Sequence, residues 1–400
     1  MELFLLAITK LCCSLTLLLI INKKFGKLYM MLNRFCFTFF CLYGLLSFIN
    51  FADAQQNKDM ALISSITDQD SIQKLNQKNF TISPEQLTAF SDIYKEDLTP
   101  NTLCRSNTTK IIKLCSDLLR NEGNSPFILV PDIYPVGVVV LFHGLSDSPY
   151  FISSIAQHMQ KRGYLVVAPL TPGHGKKEAD ADMQDDNLLS RWYQHTDDVM
   201  KFANSFNLPV VAGGFSTGGA FATHYALNHP TELDALLLFS AALELTGSAE
   251  AMSNVWGIKS LAKLLDGTYL TNGAHPFKYP SVASYSGLVL MDIIKDIRSK
   301  LEETQITIPI FAAHSMADNV TLFSGIEHLT GRVSGNHTIF KIDESYDLCH
   351  ADLPMSAIQM VNLKFDKNKV NTNERCAVPK ANPLHGQMIM MLDFFLQNNT

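Results

Sequence analysis

The chain has 400 residues, of which 47% are hydrophobic and 18% are charged, and its formal net charge at pH 7 is −6. This composition supplies enough apolar side chains for a full core, which excludes wholesale disorder. The acidic balance argues against a general nucleic-acid binder, because that class of protein carries a basic surface.

The first 54 residues are typical of a targeting segment. Two apolar blocks, at 3–21 and 35–51, stand beside basic residues, and the small residues Ala52 and Ala54 follow the second block. This order predicts a secretory signal peptide that is cleaved between Ala54 and Gln55. The alternative is a retained membrane anchor, because the block at 3–21 approaches the length of a membrane span. We therefore expect an exported protein, periplasmic or secreted, with a membrane-anchored form as the alternative.

Cleavage at this place would leave four of the eight cysteines, namely Cys104, Cys115, Cys349 and Cys376. An even number in an exported protein predicts two disulfides, for which three pairings exist. We expect Cys104–Cys115 and Cys349–Cys376, because both of these loops are short. The sequence has no C-x-x-C pair, so we expect no zinc site.

Residues 55–124 are expected to form a polar and partly helical extension. A stretch rich in Gln, Asn, Asp, Ser and Lys covers 55–83. Ser83-Pro84-Glu85 then predicts the start of a helix, with serine at the N-cap and proline in the first turn. A second helix is predicted over 109–120, before Gly123.

From residue 125 to 400, short apolar runs alternate with amphipathic helical stretches. Strands are predicted at 127–130, 136–142, 165–168, 209–212, 235–239, 306–313 and 337–342. Helices are predicted at 150–162, 187–204, 217–228, 321–330 and 383–397. Apolar strands that alternate with helices predict an α/β fold with a mostly parallel sheet covered on both faces. Residues 242–304 interrupt this alternation, so we expect them to cap one end of the sheet.

Gly214-Phe215-Ser216-Thr217-Gly218 fits the G-x-S-x-G motif and lies between a predicted strand and a predicted helix. This context predicts a nucleophile elbow, in which Ser216 is exposed on a sharp turn. The helix N-terminus then offers backbone N–H groups to a developing oxyanion. We predict the N–H groups of Thr217 and Leu145 as the two donors, since a loop after the strand at 136–142 supplies the second donor in such a fold. The neighbouring His143 is expected to brace that loop by hydrogen bonds.

Three motifs together carry a resemblance to a known family. Phe142-His143-Gly144-Leu145, Thr171-Pro172-Gly173-His174-Gly175 and the elbow follow one another as in the α/β-hydrolase superfamily. Their order is similar to that of monoglyceride-lipase-like and carboxylesterase-like serine hydrolases, over about 125–398. The resemblance implies an α/β-hydrolase fold with a lid at 242–304.

In this fold the nucleophile is followed along the chain by an acid and then by a histidine. Asp318, just after the strand at 306–313, is the predicted acid, although it is also suited to cap the next helix. The nearby His314 precedes the acid and is expected to line the loop. His350 is the predicted base, and His385 is the alternative. A polar insertion at 355–382 separates the two, and a Cys349–Cys376 disulfide would tie it beside His350.

These residues predict a serine hydrolase that cleaves carboxylic esters through an acyl-serine, without a metal or another cofactor. The apolar residues of 242–304 favour acyl chains, so the expected substrates are small acyl esters of the monoacylglycerol or lysophospholipid type. Contact with a membrane or lipid surface is expected through the N-terminus or the lid, and nucleic acid is not an expected partner. The alternatives are a serine peptidase or thioesterase on the same triad, and an exported hydrolase-like protein that binds a lipid or a partner without catalysis.

Overall fold

A computed structural model describes residues 80–105, 110–255, 257–266 and 271–399. The predicted signal peptide or anchor at 1–54 lies outside these residues, as does nearly all of the polar stretch at 55–83. Within the ranges that are described, no helix has both the length and the apolar character that a membrane crossing needs.

Nine strands of the described residues form one mixed sheet in the order β1-β2-β3-β5-β4-β6-β7-β8-β9. They are β1 (Thr102–Arg105), β2 (Ile111–Cys115), β3 (Phe127–Leu129), β4 (Val138–Phe142), β5 (Leu165–Ala168), β6 (Val210–Phe215), β7 (Ala235–Phe239), β8 (Ile310–Ser315) and β9 (His337–Ile342). The strands from β5 to β9 in this order pair in parallel, whereas β1, β2 and β3 pair antiparallel. The predicted α/β fold is therefore confirmed.

Helices cover both faces of the sheet. Those that the structure describes are α1 (Pro84–Asp92), α2 (Ser153–Lys161), α3 (Asp180–Met183), α4 (Leu188–Asn204), α5 (Thr217–Asn228), α6 (Gly247–Ser253), α7 (Ile258–Asp266), α8 (Ser284–Glu303), α9 (Phe323–Thr330), α10 (Ala357–Asn362) and α11 (His385–Asn399). Alternate residues of each central strand face opposite sides: Val138 and Val140 pack with α1, α4, α5 and α8, and Val139 and Leu141 pack with α2 and α11. The strands are apolar throughout because both faces are buried.

The N-terminal part of the described chain joins the sheet. The helix expected to start at 83–85 is confirmed as α1. Ser83 and Gln86 form a reciprocal capping box at its start. The expected helix over 109–120 is wrong, because Ile111–Cys115 forms β2 between β1 and β3. Ile112 and Leu114 are its buried residues, which is the alternation of a strand with one buried face. The sheet thus begins N-terminal to the expected domain start at 125.

Three of the described helices, α6, α7 and α8, lie between β7 and β8, where a cap was expected. The last of them, α8, packs against α4 and α5 and contributes Ile293, Ile294 and Ile297 to the core. It therefore belongs to the helical layer over the sheet. The lid role of the preceding residues stays a prediction.

Candidate active site

Ser216 occupies a sharp turn between β6 and α5. Its backbone has φ 54° and ψ −118°, a left-handed conformation that is unfavourable for a residue with a side chain. A Cβ on Gly218 would lie 2.2 Å from the carbonyl oxygen of Phe142, and one on Gly214 would lie 2.5 Å from the same atom. The two glycines of the motif thus allow α5 to begin directly against β4, which fits the predicted elbow.

A continuous hydrogen-bond chain leads away from Ser216. Its Oγ lies 2.8 Å from Nε2 of His350, and Nδ1 of His350 lies 2.6 Å from Oδ2 of Asp318. Asp318 follows β8, and His350 lies in the loop after β9, at the start of a short 3₁₀ helix. Both strands are parallel to β6, so their C-terminal ends bring the three side chains to one edge of the sheet.

The Asp318 carboxylate is buried and fully engaged. Oδ1 accepts hydrogen bonds from the N–H groups of Val320 (2.8 Å) and Thr321 (3.1 Å), and Oδ2 accepts one from the Thr321 hydroxyl (3.0 Å). Burial alone would raise the pKa of Asp318, but the His350 ring and these hydrogen bonds lower it below its ordinary value. Asp318 therefore stays ionised. It also shapes the turn before α9, although the N-cap residue of that helix is Leu322.

The two predicted oxyanion donors lie beside Ser216. Leu145 and Thr217 line the same cavity as Ser216. Among the hydrogen bonds of the described residues, none uses the backbone N–H of Leu145 or of Thr217. Free amides next to a nucleophile can stabilise negative charge on a bound carbonyl oxygen.

The remaining candidate histidines have other partners. Nε2 of His385 lies 2.8 Å from Oγ of Ser154 on α2, and no hydrogen bond in the described part of the chain joins it to Ser216. The geometry thus favours His350 over His385. His143 donates from Nδ1 to the carbonyl of Gly144 (2.8 Å) and accepts at Nε2 from the N–H of Thr171 (3.0 Å). Its predicted bracing role is therefore confirmed.

His314 lines the loop that carries Asp318, as expected. Its Nε2 lies 3.2 Å from the carbonyl oxygen of Thr321, and its ring is buried. It contacts the acid loop through the backbone of Thr321 and takes no part in the hydrogen-bond chain.

A cavity of about 1030 Å³ opens onto Ser216 and His350. One part of its wall is apolar and comes from the loop after β4 and from the segment between β7 and β8. These apolar residues are Leu145, Leu245, Met252, Val282, Leu288 and Met291. The other part carries Asp147, His275, Lys278 and Asp352. The cavity is thus divided into an apolar wall and a polar end.

Lys278 and Asp147 form an ion pair at the polar end. Nζ of Lys278 lies 3.0 Å from Oδ1 of Asp147 and 5.5 Å from the ring centre of Phe151. Burial raises the pKa of the Asp147 carboxyl, and the Lys278 ammonium partly offsets that effect. The Asp147 side chain is 1% exposed and that of Lys278 is 30% exposed, so Lys278 is the member of the pair that a ligand in the cavity can reach.

His275 supplies an unpaired donor at the same end. Its ring stacks on Phe151 at 4.9 Å, and its Nδ1 accepts from the N–H of Phe277 at 3.1 Å. Burial, with the nearby Lys278 and Arg120 charges, lowers the pKa of His275 to about 3, so the ring is neutral at pH 7. The proton is therefore on Nε2, which has no partner among the described residues.

The N-terminal extension holds this polar end in place. Arg120 donates to the carbonyl oxygens of Lys278 (2.9 Å) and His275 (3.1 Å), and Asn121 donates to that of Pro276 (2.8 Å). These residues could not be predicted from the sequence, because their position in the cavity depends on contacts between segments about 155 residues apart. No motif in the sequence indicates that connection.

The cysteines pair as expected, in Cys104–Cys115 and Cys349–Cys376. The second disulfide lies directly beside His350. Within the described ranges, no three side chains of the types that bind metals are grouped closely enough to hold an ion.

A family model for serine aminopeptidases, S33, matches residues 134–350, which is more than half of the chain. The chain belongs to the serine aminopeptidase S33 family. The matched region includes the elbow and Asp318 and ends at His350. The match confirms the resemblance to α/β-hydrolases of the monoglyceride-lipase-like group.

Relatives in this group include lipases and esterases. The chain is 24% identical over 241 residues to a thermostable monoacylglycerol lipase of Bacillus sp. strain H-257, over 58% of this chain and 90% of that protein. It is 34% identical over 136 residues to chlorophyllase-1 of Arabidopsis thaliana, over 31% of this chain and 41% of that protein. A structure of the metagenome-derived lipolytic enzymes LipS and LipT is similar in fold, with a TM-score of 0.50 and 17% identity, over 69% of this chain and 98% of that one.

Proposed function

We propose that the protein is a serine hydrolase that cleaves carboxylic esters, with Ser216, His350 and Asp318 as its catalytic triad. The observation that carries this proposal is the hydrogen-bond chain from Ser216 through His350 to Asp318 at a strained elbow. The S33 family match and the monoacylglycerol lipase relative support it independently.

The geometry suits a two-step reaction. A neutral hydroxyl is a weak nucleophile at pH 7, so Nε2 of His350 takes the Ser216 proton as Oγ attacks the carbonyl carbon. Asp318 holds the imidazole orientation and stabilises the imidazolium. The N–H groups of Leu145 and Thr217 bind the oxyanion. When the carbon–oxygen bond to the alcohol breaks, His350 returns the proton to the leaving alcohol. Water then attacks the acyl-serine along the same path and releases the acid.

The two parts of the cavity favour an ester with an acyl chain and a hydroxylated alcohol. The wall around Met252 and Leu288 suits a hydrocarbon chain. At the polar end, the partly exposed Lys278 ammonium can donate a hydrogen bond to a hydroxyl of the alcohol. We favour monoacylglycerol-type esters because a monoacylglycerol lipase is among the relatives of this chain.

The test is a panel of p-nitrophenyl esters of increasing chain length and of aminoacyl p-nitroanilides, with Ser216→Ala as the blank. We expect ester turnover that falls at least about 10³-fold in Ser216→Ala. Turnover of the anilides alone would favour the peptidase alternative, and a parallel acyl-thioester substrate checks the thioesterase alternative. A fluorophosphonate probe that fails to label the folded wild-type protein at Ser216 would contradict the proposal and favour a non-catalytic binding protein.

We further propose that the protein is exported and that the predicted lid at 242–304 contacts lipid surfaces. Two disulfides are typical of an oxidising compartment and support export. Leu264 and Leu265 of α7 are 78% and 72% exposed and support lipid contact. N-terminal sequencing of the protein from its producing cell distinguishes cleavage after Ala54 from a retained anchor. The lipid contact is tested by measuring ester hydrolysis by Leu264→Gln and by wild type on dissolved and on emulsified esters. We expect the variant to lose activity on the emulsified ester alone.

A further inference from the structure

Residues 363–382, here called the strap, connect α10 to the final helix α11. Leu363 and Phe365 anchor the start of the strap in a small apolar cluster with Phe151 and Met355, but no residue from 364 to 381 is buried. The strap also lies beyond the family match, which ends at residue 350. It nevertheless lines the catalytic cavity with Phe365, Val370, Asn371, Glu374 and Ala377. Interactions other than core packing must therefore hold the strap against the site beyond Phe365.

The strap is fixed by contacts that end beside the acid and the base. The Cys349–Cys376 disulfide joins it to the residue directly before His350. Nη2 of Arg375 donates to the carbonyl of Ala317, directly before Asp318, at 2.9 Å.

Two further contacts join the strap to the His350 loop. Nε of Arg375 donates to Oδ1 of Asp347 at 2.9 Å. The N–H of Lys380 donates to Oδ1 of Asp352, two residues after His350, at 3.0 Å. The strap therefore contacts the His350 loop on both sides of the base.

Backbone conformation supports the same reading. Cys376 and Asp347, at the strap and loop ends of these contacts, have φ values of 66° and 44°. Residues with side chains keep such conformations where the surrounding contacts impose them. The Asp318 and His350 loops follow different strands, and the strap contacts both of them at residues next to the reacting pair.

We propose that the strap is a positioning element that keeps the Asp318 loop and the His350 loop in catalytic register, with Cys376 and Arg375 as its positioning residues. This inference rests on the proposed function, because it takes Asp318 and His350 as the catalytic pair. Hydrogen-bonded catalytic groups must be held to about 0.5 Å, and an error of about 1 Å can cost about 10²-fold in rate. Freeing one loop from the strap removes a restraint on that distance.

The experiment compares strap variants with matched controls elsewhere in the full chain. Cys376→Ser breaks the strap disulfide and leaves the residues of the His350 loop unchanged, and Cys104→Ser breaks the other disulfide, between β1 and β2. Arg375→Gln removes both arginine contacts. Its control is Arg332→Gln, since Arg332 also bonds one carbonyl (Leu301) and one carboxylate (Glu302) at the surface. Arg375→Lys is the conservative variant.

The readouts are the fluorophosphonate labelling rate of Ser216, and kcat and KM on a soluble p-nitrophenyl ester, measured on protein shown to be folded. We expect Cys376→Ser and Arg375→Gln to lower kcat and the labelling rate by about tenfold, with KM changed less, and Arg375→Lys to recover part of the loss. Cys104→Ser and Arg332→Gln should stay near wild type.

The outcomes separate this inference from the proposed function. Wild-type rates in both strap variants, or equal losses in their controls, would overturn the positioning role while the hydrolase proposal stands. A wild-type protein that the probe does not label overturns both. If Cys376→Ser does not fold, Arg375→Gln and Arg375→Lys decide the question.

Discussion

Thr321 extends the hydrogen-bond chain of the active site by one residue. Its hydroxyl donates to Oδ2 of Asp318 and lies 3.3 Å from Nδ1 of His350, and its side chain is fully buried. Because the same carboxylate oxygen accepts from His350, Thr321 helps to hold the acid in the orientation that the imidazole needs. We expect the Thr321 hydroxyl to contribute less to kcat than the negative charge of Asp318 does.

Two substitutions separate these contributions. Asp318→Asn removes the charge and offers the imidazole the wrong partner, so we expect kcat to fall by about 10⁴-fold. Thr321→Val keeps the shape and removes one donor, so we expect a loss of about tenfold, equivalent to about 1.4 kcal/mol. Thr330→Val is the control, since its buried hydroxyl bonds only backbone carbonyls of α9. Steady-state kinetics on one ester suffice, and wild-type kcat in Thr321→Val would rule out this contribution.

Asp352 is a buried carboxyl near the base, and burial raises its pKa to about 6. Unfolding returns the group to its ordinary pKa near 3.9. The folded state therefore binds more protons between these values, and stability falls as the pH rises from about 4 through 6. In the native protein this cost should reach about 3 kcal/mol above pH 6.

Asp352→Asn should remove this pH dependence, because the amide keeps the acceptor for Lys380 and never ionises. Relative to wild type, we expect the variant to become more stable as the pH rises. Its free energy of unfolding should gain about 2 kcal/mol on that of wild type between pH 4 and pH 7. Urea denaturation at four pH values measures it, with Asp132→Asn, an exposed position, as the control. A difference that does not change with pH would contradict the burial effect.

At the scale of elements, the elbow depends on how closely α5 approaches β4. A methyl group on Gly218 would meet backbone atoms of Phe142 and His143, at 2.2 to 2.7 Å, and the backbone of a central strand cannot shift cheaply. The turn is therefore intolerant of any side chain at this position.

Gly218→Ala should lower the free energy of unfolding by more than about 2 kcal/mol, and the yield of folded protein should fall with it. Gly247→Ala is the matched control, because nothing lies within 4 Å of the added atom. Thermal unfolding and the yield of soluble protein are the measurements. A melting temperature of Gly218→Ala equal to that of wild type would show that the helix can move away from the strand.

The elements also show where sequence reasoning reaches its limit. Ser216 could be predicted because its motif requires a local strand, turn and helix, and Asp318 could be predicted because it follows a buried strand. The helix expected over 109–120 failed because β2 is only five residues long and owes its conformation to pairing with β1 and β3. Thr321, His275 and Lys278 were missed because their roles arise only where distant segments meet.

At the scale of the whole molecule, three buried histidines lie close together, on the loop after β4, on the loop after β5 and on α4. The rings of His143 and His174 lie 5.0 Å apart, and His195 packs edge-on against Tyr94. Burial lowers all three pKa values, to about 4 for His174 and about 3 for His195. The unfolded chain binds more protons than the folded protein below pH 6.5, so the stability present above that pH is lost as the pH falls.

His195→Phe should make the protein less sensitive to acid, because the ring is kept and the titrating group is removed. We expect the drop in melting temperature between pH 7 and pH 5 to shrink by several degrees, since one such histidine accounts for about 2 kcal/mol over that interval. The exposed His328 provides the control as His328→Gln. If His195→Phe and wild type lose stability equally in acid, the burial of His195 is not a cause of that loss.

The Cys104–Cys115 bond has a consequence for the behaviour of the molecule in solution. It joins β1 to β2 at the outer margin of the sheet, where unpaired backbone groups can recruit another chain. A cross-linked outer strand cannot peel away to uncover the longer β2 behind it. Production in a reducing compartment should therefore yield more aggregate, independently of any effect on the catalytic groups.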